Sequence, residues 1–555
     1  MKKRIIRLLV PVLTAVLVFT GCTPALVQRQ LEAVWEQMEQ IQPTSEPRQA
    51  EATEEYSSEP SFSQMEYRRP DMEAMETVLT QTCMAAKGTD LDTIMDGVWA
   101  FYDEYDLFYT YYCLADIHYS LDLTDEYWEE EYTFCTDNSA VVDASLEELY
   151  YALADSPCRE QLEGEDYFGA DFFDSYDGEN NWDEAFTALL QREAELQNQY
   201  YELSGTYADF SGSDSAYYNR YADELARLLT ELVQVRHEMA AYWDYESYAD
   251  FAWDFYYYRD YTPLEMETYM AQISRELVPL YREMALTDVW DYSYVYCTPE
   301  RNYAYVRDAA EKMGGTVWEA FEVMERRELY DISYSTNKYA ASFETYLTCY
   351  EVPFVFVYPS LENYDKLTFS HEFGHFCNDY HSYGSSAGID VLEVFSQGME
   401  YLMLCYSEDS DALARVKMAD SLSTYVEQAA FATFEHRMYQ LPDPTPEALY
   451  DLYDEVAREF GFESVGYDPR EFVTISHLYT NPLYMDSYVV SNDAAMQLYQ
   501  LELERSGAGL GLYEKHIDTW ELWFLSFLDA AELESPFAPG RLESVRDLFR
   551  RELLA

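Results

Sequence analysis

Cations are scarce in this chain. Only 35 Lys and Arg stand against 105 Asp and Glu, a formal charge of −70 over 555 residues. Phosphate recognition rests on Lys and Arg, so no nucleic-acid partner is expected. The acidic surplus reads as a solvated, self-repelling surface that keeps the chain soluble and would favour cationic peptides. Patterned cysteine is also lacking. Beyond Cys22, the thiols at Cys83, Cys113, Cys135, Cys158, Cys297, Cys349, Cys377 and Cys405 show no short regular spacing and no C-x-x-C. That argues against a disulfide framework and a sulfur-ligated metal, and leaves pairing open. No repeat of fixed period is present. The apolar run Leu8–Phe19 is too short for a comfortable membrane span. The length exceeds one compact core and implies two to four domains or one large multi-lobed fold.

At the N-terminus, Lys2, Lys3, Arg4 and Arg7 precede that apolar run, so residues 1–21 read as an export signal. Val18-Phe19-Thr20-Gly21-Cys22 resembles a bacterial lipoprotein box, with Phe19 where Leu is more usual. The resemblance implies cleavage before Cys22, lipid on its sulfur, and a protein held by that anchor on the outer side of a bacterial membrane. Residues 22–62 are poor in large apolar side chains and read as a flexible tether with a short helix near 31–41. The folded part is expected from about Met65.

Helical periodicity dominates a first lobe, 63–270. Long amphipathic helices are expected at Trp182–Leu203 and Tyr217–Tyr242, with Gly205 and Gly212 in the loop between them. Thr262-Pro263 marks a helix start, and Gly314-Gly315 separates two further helices. In the second region, 271–555, the stretch Val352–Tyr358 is β-branched and aromatic and predicts a strand. Pro353 has no N–H to donate, which suits an edge. Phe354, Val355 and Phe356 are therefore expected to receive an extended peptide by strand addition.

Next comes His371-Glu372-Phe373-Gly374-His375. On a helix, positions four apart share a face, so His371 and His375 can offer two imidazole nitrogens to one zinc ion. Glu372 lies where it can take a proton from an attacking water. Asn363 or Asp365 would cap this helix, and a second helix is expected over Ile389–Cys405. A third ligand is required, and spacing leaves two candidates. His381 completes a metzincin-like spacing with Asn378 in the glycine position and Met399 as a methionine turn. Glu393 would instead make a His, His, Glu site.

The surrounding sequence resembles the M3 family of zinc metallopeptidases, its oligoendopeptidase F branch in particular. The resemblance runs through Tyr364–His375, resumes at Asp390–Tyr401, and appears again at His477–Tyr488; Lys338–Tyr346 adds to it upstream. It is strong from about 330 to 500 and diffuse before that. Where the family often carries a further His, this chain has Asn378. The resemblance implies a mainly α, two-lobed fold with a central channel and a small sheet beside the HExxH helix. It also implies one Zn²⁺ held by His371, His375 and Glu393, with Glu372 as general base. His477, Tyr484 and Tyr488 would stabilise the oxyanion, with Tyr479 in reserve. Spacings of seven and four suggest that these donors share one helical side. Glu400, seven residues after Glu393, would orient a ligand imidazole, with Asp390 a weaker candidate. The activity implied is hydrolysis of short unfolded peptides. The rival reading is a lipid-anchored peptide-binding protein of the same fold without catalysis.

Overall fold

The computed structural model describes residues 59–554 apart from 165–166, 171, 177–183, 209–213, 385–386 and 409. The export signal, Cys22 and most of the expected tether lie outside the described residues.

Folding begins before residue 63. Phe62 donates its N–H to the Arg327 carbonyl (2.8 Å), and its ring sits 4.3 Å from that of Phe354. The Arg327 guanidinium donates to the Pro60 carbonyl. The fold is mainly helical. Helices α1 (Met72–Ala86), α2 (Leu91–Leu121) and α3 (Glu126–Ala154) each begin on an aspartate whose carboxylate accepts backbone N–H groups of the first turn. Such caps satisfy donors that the helix itself leaves unpaired. Their apolar faces join Phe168, Phe172, Phe173 and Tyr176 in one cluster. A second, larger cluster takes in the rest of the chain, including α4 (Glu184–Ala208) and α5 (Asp214–Tyr242). The division does not follow the chain, since Met65 and, from α2, Leu114 and Ile117 pack in the larger cluster. Gly205, expected in a loop, lies inside α4, while Gly212 falls outside the described residues. The helix Pro263–Glu276 starts as expected, on a Thr262/Glu265 capping box.

Three strands form the sheet: β1 (Tyr330–Asp331), β2 (Phe343–Leu347) and β3 (Val352–Phe356), in the order β1-β3-β2. Here an expectation fails. Phe354, Val355 and Phe356 belong to the central strand, antiparallel to β2 and parallel to β1, and all three are buried. Pro353 is tolerated there because β1 reaches only Val355 and Phe356. The longer edge is β2, whose Phe343, Glu344, Thr345 and Tyr346 are half-buried.

Helices α6 (Asp365–Ser382), α7 (Ile389–Tyr406) and α8 (Met485–Glu504) form the centre of the second region. Gly374 lets α6 and α7 touch: a Cβ there would lie 2.7 Å from both the Phe395 carbonyl oxygen and Ser396 Cα. Neither Asn363 nor Asp365 caps α6. Instead Asp365, its first residue, accepts N–H groups of Ser360, Leu361 and Glu362 and so ties down the preceding turn. Among the described residues no disulfide joins any of the eight cysteines, and no helix is long and apolar enough to cross a membrane.

Candidate metal centre

The α6–α7 contact brings His371 and His375 against Glu393. His371 Nε2 lies 3.4 Å from Glu393 Oε2, and His375 Nε2 lies 3.9 Å from Glu393 Oε1. One donor atom from each of the three falls within 4.8 Å of the others. Ligands held at roughly 2.0–2.1 Å around a tetrahedral zinc stand about 3.3–3.4 Å apart, so the donor set fits such an ion after small side-chain adjustments. His381 takes no part. It sits at the far end of α6 with Nε2 against the Thr316 carbonyl (2.9 Å). Met399 lies within α7, not in a turn, and Asn378 donates to the Ile517 carbonyl (2.6 Å).

Hydrogen bonds outside the trio orient it. Glu400 accepts from His371 Nδ1 (2.9 Å), so Nε2, which faces Glu393, is the nitrogen that would serve an ion on losing its proton. Lys417 donates to Glu400 (2.7 Å) and to Asp420 (2.8 Å), and Tyr364 donates to Asp420 (2.6 Å). Ser396 donates to Glu393 Oε2 (2.8 Å) and Tyr484 to Oε1 (2.7 Å), so both carboxylate oxygens are held. Sequence reasoning reached Glu400 but missed Ser396, Lys417 and Asp420. A hydroxyl three residues after Glu393 on one helix was a usable signal for Ser396. Nothing local announces Lys417, which arrives from another helix.

Burial and neighbouring charge set the protonation states. Burial raises Glu372 to about 7 in spite of His371, and pulls His375 down to about 4. Burial also works against protonation of His371, but Glu400 and Glu393 outweigh it and take the ring up to about 9. Burial raises Glu393 too, yet His371 and His375 hold it below the usual carboxylate range. One further acidic pair faces Glu372. Glu344 of β2 and Asp379 of α6 share a hydrogen bond, and burial pushes both upward.

His477, Tyr484 and Tyr488 come together beside Glu393, though not along one helix. His477 opens the one-turn helix His477–Thr480, the chain breaks at Asn481, Pro482 and Leu483 (φ 64°), and Tyr488 sits in the first turn of α8. Ring centroids lie 5.4 Å (His477–Tyr484), 5.8 Å (His477–Tyr488) and 5.1 Å (Tyr484–Tyr488) apart. The Tyr488 hydroxyl is 3.4 Å from His477 Nε2. Burial lowers His477, so its ring is neutral and can hydrogen-bond without adding charge. Tyr479 is no candidate: it is fully buried and stacked on Tyr200 at 4.0 Å. Asp390 turns from the histidines to Tyr261 and Arg259.

Comparison with known proteins bears on this arrangement. Residues 62–181 match the family model described as the peptidase M3 N-terminal domain. No curated protein matches the chain. Among solved structures, one assigned as an oligoendopeptidase F is 21% identical with a TM-score of 0.76, covering 89% of this chain and 98% of the other. PZ peptidase A with an inhibitor gives 20% and 0.76, over 89% and 99%. A Bacillus anthracis Ames structure, also assigned as an oligoendopeptidase F, gives 20% and 0.74, over 89% and 98%. Residues 62–181 thus match the M3 peptidase N-terminal domain and, over most of its length, the chain has the fold of the oligoendopeptidase F structures.

Proposed function

We propose that this protein is an M3-type metallopeptidase that uses zinc to hydrolyse short unfolded peptides. The observation that carries the reading is the convergence of His371, His375 and Glu393 with Glu372 and with the His477, Tyr484 and Tyr488 rings. His371, His375 and Glu393 would hold Zn²⁺, which when bound would supply Lewis acidity toward a water and a peptide carbonyl. Glu372, buried and raised to about 7, is placed to accept the attacking water's proton and return it to the leaving amine. Tyr488 and His477 offer neutral donors to the oxygen on which negative charge develops. Tyr484 lies beside them with its hydroxyl on Glu393 and would join them as a donor only by giving up that bond. An extended peptide is received at β2, the longer sheet edge, with Glu344 beside Glu372. The charge of −70 favours cationic peptides.

The basic, apolar and Val18–Cys22 segments support export and lipid anchoring at Cys22, on the outer side of a bacterial membrane. Mass spectrometry of the membrane-extracted protein should find the chain starting at an acylated Cys22; an intact N-terminus would remove that part of the reading. Activity is tested by metal analysis together with cleavage of a quenched fluorescent peptide. One zinc per chain is expected, with cleavage abolished by chelator and restored by added zinc. Peptide binding without cleavage in the zinc-loaded protein would favour the non-catalytic alternative.

A further inference from the structure

The segment His477–Tyr488 brings donors to the site on short local turns, closed by Asn481 N–H to the His477 carbonyl (3.0 Å) and Tyr484 N–H to the Asn481 carbonyl (3.2 Å). It is one helical turn followed by Asn481, Pro482 and Leu483, the last at φ 64°. The carbonyls of Leu478, Tyr479, Pro482 and Leu483 are met by side chains from residues 236–259, and Gln197 also reaches those of Tyr479 and Thr480. Arg236 of α5 donates to the carbonyls of Leu478 (2.7 Å) and Tyr479. Tyr257 donates to Pro482, and Arg259 Nη2 donates to the Leu483 carbonyl (3.0 Å) and to Ser487 Oγ (2.8 Å). Tyr257 closes a turn of π-helix, Trp253–Tyr257, and Tyr258 follows at φ 50°. Wide turns of this kind recur at functional sites because they re-aim the side chains that follow.

Arg259 does more than hold the loop. Its side chain has no solvent exposure, and its guanidinium lies 4.3 Å from the ring centroids of both Trp253 and Tyr257. Its Nε is 3.3 Å from Asp390 and its Nη1 3.6 Å from Asp486. Asp390 stands in the first turn of α7, three residues before Glu393; Asp486 and Ser487 lie between Tyr484 and Tyr488. One planar cation therefore spans the helix that carries Glu393 and the segment that carries the hydroxyl donors. We propose that Arg259 is a positioning residue that sets the distance between Glu393 and the Tyr484/Tyr488 donors, without itself touching metal or peptide. The role rests on the peptidase reading above.

The carboxylates that Arg259 faces would not be stranded by its loss. Asp390 keeps the Tyr261 hydroxyl (2.7 Å), and Asp486 keeps His436 Nε2 (3.1 Å). Arg259→Met should therefore fold while releasing the loop. Arg259→Lys keeps the charge but cannot reproduce a rigid fork that reaches a carbonyl, a hydroxyl and two carboxylates at once.

Hydrogen–deuterium exchange, zinc content and steady-state kinetics on Arg259→Met, Arg259→Lys, Tyr488→Phe and the double variants test this. Exchange in 478–488 should rise while α6 stays as protected as in the parent and zinc content holds. The kcat should fall about 10–100-fold with KM within about twofold, and Lys should recover part of it. Paired with Tyr488→Phe, Arg259→Met should add little, because both act on the same donor. Losses that add fully, falling zinc content, exchange rising equally in α6, or unchanged exchange and kcat would each overturn the proposal. Should Arg259→Met fail to fold, Ser487→Ala removes one contact of the arginine and should show a smaller version of the same pattern; unchanged exchange there would also count against it. Exchange is read independently of turnover. A parent that never cleaves peptide would refute the peptidase reading, while the exchange data would still report on the clasp.

Discussion

Glu372 and Glu393 are both buried glutamates near two histidines, and their surroundings separate them. Glu393 has both oxygens occupied, by Ser396 and Tyr484, and sits below the usual carboxylate range. Glu372 is lifted toward neutrality by burial, which suits a group that takes and returns a proton. Glu372→Gln should keep its zinc and lose about 10²–10⁴ in kcat; metal analysis beside peptide cleavage checks this, and near-normal turnover would rule out the base. Glu393→Ala should strip most of the zinc, while His381→Ala should leave zinc content unchanged, since that ring lies on the Thr316 carbonyl. The opposite order would return His381 to the site. A four-residue helical spacing paired the histidines and a seven-residue one pointed from Glu393 to Glu400, but spacing left His381 and Glu393 both open as third ligand and only the M3 resemblance chose between them. The Lys417–Asp420–Tyr364 chain behind Glu400 joins segments that only the fold brings together, so no local pattern could disclose it.

Helix contacts decide whether the ligands meet at all. His371 and His375 share α6, Glu393 belongs to α7, and Gly374 is where the two backbones touch. Gly374→Ala would push a methyl group against the Phe395 carbonyl and Ser396 Cα, atoms that cannot rotate away. Overpacking of this kind costs about 1–3 kcal/mol. The variant should lose zinc affinity along with thermal stability, as metal titration and melting with and without chelator would report; unchanged zinc affinity would mean the helices separate without moving the ligands. Periodicity and a cap agreed at Thr262-Pro263, and the helix expected over Ile389–Cys405 formed over Ile389–Tyr406 after Gly388 without a side-chain cap. The sheet was not, because strand order is a long-range property. Pro353 suggested an edge, yet β1 is so short that a central strand can hold proline beyond its end. Nor did the seven- and four-residue spacings of His477, Tyr484 and Tyr488 mean one helix: the loop at Asn481–Leu483 assembles what periodicity assigned to a single face.

Acidity affects the interior of the protein as well as its surface. Burial raises Asp116 to about 6, Asp143 to about 7 and Glu147 to about 8, all three in the N-terminal helices α2 and α3. Tyr105 and Tyr109 donate to Asp143, while Glu147 gains no cation and faces Asp143 across one turn. In the unfolded chain these carboxyls titrate near 4. Between that pH and their folded values, the folded state holds protons that the unfolded state has released, so stability falls as pH rises through the window. His436, taken down by burial but lifted further by Asp486 to about 9, acts in the same direction: its contribution is complete below about 6.5 and is lost through pH 9. Self-repulsion among 105 acidic residues adds to the trend at low ionic strength. Glu147→Gln isolates one term, since an amide of the same shape carries no charge at any pH. The variant should melt at the same temperature as the parent at about pH 3, below the unfolded titration, where both side chains are neutral in the folded and unfolded states, and progressively above it from about pH 5 to pH 8. Melting curves taken with chelator at each pH keep metal binding out of the comparison, and a difference that stays constant across that range would show that Glu147 is ionised in the folded protein throughout.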